Sequence, residues 1–146
     1  MKPFKEFMDA IGERESGNNY RCVNSIGYIG KYQLGRARLY DLDYSLDGWH
    51  PANRPALKMV TKENFLLNND LQDHLFKKHV ALLAKIIIAK YPEEIKKYSL
   101  SGMIAGAHLK GMGGLKQFID GKDNADAFGT KISEYIEQFK DYEIPA

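Results

Sequence analysis

The sequence holds a single cysteine, Cys22, so no disulfide can form within the chain. No base stands near it, which leaves an inert, buried or half-buried thiol rather than a nucleophile. Long apolar runs are missing as well. "VALLAKIIIAK" is interrupted by Lys85 and is far too short to span a bilayer. Charge of one sign is also missing. The formal net charge is +2, and the only adjacent basic pairs are Lys77-Lys78 and Lys96-Lys97, so no nucleic-acid partner is expected. At the start, "MKPFKEFMDA" carries Glu6 and Asp9 where the apolar stretch of a secretory signal would begin. The expectation is a chain made in the cytoplasm without a signal peptide.

Metal and nucleotide motifs are absent too. His74 and His79 are spaced for different helix faces, so they make a poor zinc pair, and no HExxH motif exists. "DGKDNADAFGTKISE" fails as a calcium loop. With Gly129 placed sixth, Phe128 and Tyr135 fall on ligand positions. No P-loop or dinucleotide fingerprint occurs, so no cofactor and no metal are expected.

What is present suits one domain with a real core: 146 residues, 44% apolar and 27% charged. Helical spacing dominates. Phe4, Met8 and Ile11 mark a first helix that Gly17, Asn18 and Asn19 end. Helical spacing resumes over Lys31 to Leu42, and Asp43 to Pro55 reads as a loop. Thr61 caps a short helix, and Asn69 or Asp70 caps a long one ending near Lys90. Leu71, Leu75, His79 or Leu82, and Ile86 share one face of that long helix. "SLSGMIAGAHL" is apolar, with small residues at Gly102, Ala105, Gly106 and Ala107 that allow close neighbours. "GMGG" breaks it, and Thr130 caps a last helix. Tyr20 to Gly30 reads as a turn or small hairpin. The fold class expected is mainly α, with about six to eight helices and one small β element.

The most informative stretch is "GERESGNNYRCVNSIGYIGKYQLG", Gly12 to Gly35. Glu15 falls in the last turn of the first helix, where the carbonyl ends make a poor place for a carboxylate. A residue that breaks a local preference is a functional candidate. Glu13 points about 200° away from it, at roughly 3.6 residues per turn, and reads as an ordinary surface charge.

From Glu15 to Gln33 the chain resembles the signature of the lysozyme-like superfamily, and of bacterial lytic transglycosylases in particular. "ESGNNYRCVNSIGYIGKYQ" aligns without a gap to the typical "ESGGNPNAVSPAGAAGLMQ". The matches fall at Glu15, Ser16, Gly17, Asn19, Val23, Gly27, Gly30 and Gln33. A second motif, "AHLKGMGG" from Ala107, is similar to the family's Ala-Tyr-Asn-Ala-Gly-Pro-Gly segment. His108 stands where the tyrosine would be and Leu109 where the asparagine would be. That variant is closer to small peptidoglycan hydrolases of phage-tail and bacterial-effector type. The resemblance runs over roughly residues 5 to 141.

The resemblance implies a lysozyme-like fold with a small β-hairpin beside a cleft. It also implies a glycosidase cutting peptidoglycan between N-acetylmuramic acid and N-acetylglucosamine. Glu15 would be the general acid. Such an acid must hold its proton at the working pH, and a helix C-terminus favours that form. Ser16, Tyr28, Tyr32, Gln33 and His108 would be the substrate-side residues, although Tyr28 and Tyr32 could equally pack and His108 could be a core histidine. Gly27 and Gly30 either approach the sugar or only shape the turn. Trp49 is either a sugar platform or, preferably, a loop anchor.

No Asp or Glu lies between Ser16 and Tyr40. A hydrolase would have to draw its second carboxylate from Asp41, Asp43, Asp47 or Glu63, each of which reads more simply as a solvated or capping residue. A transglycosylase needs none, since the sugar's own 6-hydroxyl attacks. The alternatives are that route, a chitinase-like glycosidase, and an inactive wall-binding module. The expected partners are glycan strands and a candidate immunity protein plugging the cleft. The chain is expected to be a monomer, delivered to the wall by a secretion device, phage tail or lysis pore.

Overall fold

The structure is a computed structural model describing residues 1–145. Among these the chain is mainly helical. Its elements are α1 (Phe4–Ser16), α2 (Arg36–Asp41), β1 (Tyr44–Leu46), β2 (Lys58–Val60), α3 (Lys62–Leu67), α4 (Asn69–Lys90), α5 (Pro92–Tyr98), α6 (Leu100–Ile119) and α7 (Ile132–Gln138). Two compact units divide it: Ile11–His79, and Met1–Ala10 together with the chain from Val80 onward. The division falls inside α1 and inside α4. No helix among the described residues is long and apolar enough to cross a membrane.

The unit from Val80 onward is built by apolar packing. Gly102 and Gly106 present the small face of α6 to α7, so closely that a Cβ on Gly102 would lie 2.7 Å from the Ile136 carbonyl and one on Gly106 2.8 Å from Ile132 Cγ1. Phe139, fully buried, meets Phe7 edge-on at 6.0 Å and Tyr135 at 5.3 Å. The Ser101 hydroxyl donates to the Phe139 carbonyl at 2.6 Å and accepts from the Tyr142 amide at 3.2 Å. The expected break at "GMGG" is a bend inside α6, where Gly111 leaves helical geometry at φ 74°.

In the unit Ile11–His79, Ile29, Leu34, Leu39, Leu42, Phe65, Leu75 and Phe76 are buried. Its two strands pair in parallel, Tyr44 with Lys58 and Leu46 with Val60. This corrects the expected hairpin. The stretch 20–30 forms only isolated antiparallel bridges, Val23 with Ile29 and then Ile29 with Leu34, because its tight turns leave no room for a ladder. The sheet instead joins the ends of a segment that reads as loop.

Four further expectations shift. The helix expected from Lys31 starts only at Arg36, because Gln33 sits at φ 53° and ends any helical run there. The cap of α4 is Asn68, whose Oδ1 accepts from the Leu71 amide at 3.0 Å, one residue before the expected pair. Thr130 caps nothing: its amide donates to Asp126 Oδ1 at 2.8 Å, and α7 begins after Lys131. On α4 the buried stripe is Gln72, Leu75, Phe76, His79, Val80, Leu83 and Ile87, whereas Leu82 and Ile86 are exposed. Thr61 does cap α3, accepting from the Asn64 amide at 3.1 Å.

Candidate active site

α1 ends where the sequence indicates. Gly17 and Asn18 take left-handed backbone at φ 64° and 60°, and their amides return to the Glu13 and Gly12 carbonyls at 2.9 and 3.1 Å. Helix termini leave such carbonyls to be satisfied, and this reversal does so. Glu15 is half-buried on the last turn. Glu13 is exposed and accepts from Asn18 Nδ2 at 3.1 Å.

Gly12, Glu15 and Ser16 stand at i, i+3 and i+4, one face of the helix. Lys31 lies on that face. A Cβ on Gly12 would sit 2.5 Å from Lys31 Cε, so only glycine lets the lysine stem cross there. The Ser16 hydroxyl donates to the Lys31 carbonyl at 2.7 Å and to the Gly12 carbonyl at 3.1 Å, and it accepts from the Asn19 amide at 3.0 Å. This one side chain binds the "ESG" end of the motif to its "GKYQ" end.

The second half of the motif is held from below by two residues of α4. Gln72, buried, accepts from the Lys31 amide at 2.8 Å and donates to the Tyr20 and Phe65 carbonyls, each at 2.9 Å. Gly30, at φ 83°, fits over it, since a Cβ there would lie 2.9 Å from Gln72 Cδ. Gly30 therefore serves an internal contact with Gln72. Asp73 accepts from the Tyr20 hydroxyl at 2.9 Å and the Tyr32 hydroxyl at 2.7 Å. The Lys31 ammonium lies 5.1 Å from the Tyr20 ring centre and 5.3 Å from that of Tyr32. Bonds from phenols to a carboxylate are charge-assisted and hold both partners firmly.

The residues expected to face substrate thus divide. Tyr32 takes the packing alternative. It is 2% exposed, stacked on Phe76 at 4.1 Å, with its hydroxyl on Asp73. Gln33 is buried, and its amide nitrogen braces the turn by donating to the Gly30 carbonyl at 2.9 Å and the Cys22 carbonyl at 3.3 Å. Ser16 is the latch just described. Tyr28 is 43% exposed and sits with Val23 and Ile26, also exposed, on the turn beside Gly27. His108 belongs to the other unit, half-buried on α6 just before the bend at Gly111.

Three of the four candidate second carboxylates have partners of their own. Asp41 pairs with Arg38 at 3.6 Å, Asp43 with Arg54 at 3.4 Å, and Asp47 Oδ1 accepts from the Lys62 amide at 2.9 Å. Glu63 is exposed in the first turn of α3, a favourable place for a negative charge. Trp49 is an anchor through its backbone, with its amide on the Leu46 carbonyl at 2.9 Å and its carbonyl accepting from Ser45 at 3.0 Å. An open depression of about 680 Å³ at the start of α4, lined by Asn64, Leu67, Asn68, Asn69 and Asp70, contains none of the motif residues.

Lys31, Gln72 and Asp73 were not singled out by the sequence. A signal for Gln72 exists: it stands at i−3, i−4 and i−7 from Leu75, Phe76 and His79, a polar residue inside an apolar stripe. Comparison with protein-family models, curated proteins and solved structures found no match.

Proposed function

We propose that the chain is a peptidoglycan glycosidase of lysozyme-like type, cleaving between N-acetylmuramic acid and N-acetylglucosamine, with Glu15 as general acid. The observation that carries this reading is the Ser16 to Lys31 bond of 2.7 Å. It joins the two ends of the Glu15–Gln33 signature into one structure, with Glu15 half-buried on the face that the junction defines.

In this reading Glu15 protonates the glycosidic oxygen as the C1–O bond breaks. The resulting carboxylate then takes a proton from the attacking hydroxyl, so one residue serves as acid and then base. Ser16, Gln33, Gln72 and the Tyr20–Asp73–Tyr32 group fix the wall behind it, and Tyr28 offers an exposed ring to a sugar face. His108 rests on its motif alone. The absence of any Asp or Glu from Gly17 to Leu39 favours attack by the muramic acid 6-hydroxyl over attack by a water that a second carboxylate would hold. The protein would act on the wall after delivery.

Digestion of purified sacculi followed by mass spectrometry tests this reading. Fragments with 1,6-anhydro ends are expected. Reducing ends would mean that water attacks, and no soluble fragments at all would remove the glycosidase reading.

A further inference from the structure

Three arginines lie between Arg36 and Arg54, and they differ in what they touch. Arg38 pairs with Asp41, and Arg54 pairs with Asp43 while its guanidinium also lies 4.1 Å from the Tyr40 ring centre and binds the Tyr40 carbonyl. Arg36 is exposed and touches only an aromatic ring. Its guanidinium lies 4.6 Å from the centre of Trp49, with no carboxylate partner among the described residues. The Trp49 backbone is held by two hydrogen bonds, and its ring meets that of Tyr40 edge-on at 6.0 Å and 81°. A guanidinium resting over an indole gives up part of its freedom without engaging a carboxylate. That preorganises it for a bidentate anion.

The patch has a second component. Tyr28, exposed, lies against the backbone of Gly35, the residue before Arg36, so closely that a Cβ on Gly35 would be 2.8 Å from its Cε1. An exposed ring and a stacked, acid-free guanidinium therefore adjoin along the chain. By chain reach, Arg36 is within about 18 Å of Lys31, whose carbonyl receives the Ser16 bond. One glycan strand can cover that span.

We propose that Tyr28, Arg36 and Trp49 form a subsite for an anionic glycan. The Tyr28 ring takes a sugar face, and Arg36, held on Trp49, takes a carboxylate of the attached peptide. This rests on the glycan-cleaving reading and sharpens it, since a neutral strand such as chitin offers nothing to Arg36.

The test measures binding of the full chain carrying Glu15→Gln, which holds substrate uncleaved, to peptide-bearing sacculi and to the same sacculi with their carboxyls blocked as amides. Adding Arg36→Gln is expected to weaken binding to the untreated sacculi about tenfold and to make no difference on the blocked ones. Arg36→Lys should fall between. Equal binding of Arg36→Gln and its parent on untreated sacculi overturns the subsite, and so does an equal loss on both preparations, which would report a collapsed patch. If the wild-type chain neither binds nor cleaves sacculi, the glycan reading fails and takes the subsite with it. If it cleaves and Arg36→Gln binds unchanged, only the subsite fails.

Discussion

Both units of this chain have apolar cores, but they differ in how closely side-chain hydrogen bonds are woven into them. From Val80 onward, α6 and α7 meet through glycines and aliphatic side chains, and Phe139 is enclosed by aromatic rings. In the stretch 11–35, by contrast, turns are closed by side-chain hydrogen bonds from Ser16, Gln33, Gln72 and Asp73. Apolar packing is non-directional and tolerates approximation, whereas a hydrogen-bonded turn works only with each donor on its acceptor. The proposed acid, Glu15, which would have to be held in one place, lies in the second kind.

The largest effect is expected in the unit from Val80 onward. Phe139→Ala removes a fully buried ring and should cost about 3–5 kcal/mol, read by urea unfolding. At temperatures where the variant is still folded, the chemistry of wall cleavage should be little changed. Gln72→Leu is the reciprocal experiment. It keeps the volume but strands the Lys31 amide and the Tyr20 and Phe65 carbonyls. It should cost about 2–4 kcal/mol, and wall cleavage by the folded protein should fall about tenfold or more, because misplacement of a catalytic group is costly. If Gln72→Leu lost stability and kept full activity, the polar network would be scaffolding only.

The smallest effect belongs to Lys116 and Asp120 on the surface of α6. Their 2.8 Å hydrogen bond, and then their charges, hold the Asp120 carboxyl below its ordinary value and the Lys116 ammonium above its own. A lowered carboxylate contributes stability above its unfolded pKa, lost as pH falls through the folded one. A raised lysine contributes below its unfolded pKa, lost as pH rises through the folded one. Both groups are exposed, so solvent screens the pair, and Asp120→Asn should leave Tm within about 1 °C at neutral pH.

Much of the first kind of structure was legible and less of the second. Helical periodicity and small residues announced α6, and Gly17 with Asn18 announced the end of α1. The face of α4 was harder to choose, because "VALLAKIIIAK" is apolar nearly all round and burial, not pattern, selects Leu83 and Ile87 over Leu82 and Ile86. β1 and β2, at three residues each, are too short to show alternation, and their pairing is non-local. In the site, Glu15 stood out because it breaks a helix-end preference. Lys31 and Asp73 did not, because a charged residue in a polar segment reads as solvated until its partners are seen. Tyr32 shows the converse: its motif position suggested a sugar contact, and its ring is in the core.

Clearance of purified cell walls by wild type and Glu15→Gln, with thermal melts to show that both are folded, tests the proposed role of Glu15 as the acid. The substitution is expected to lower the rate about 10²–10⁴-fold with Tm nearly unchanged. A folded Glu15→Gln protein that clears walls as fast as wild type would contradict that role.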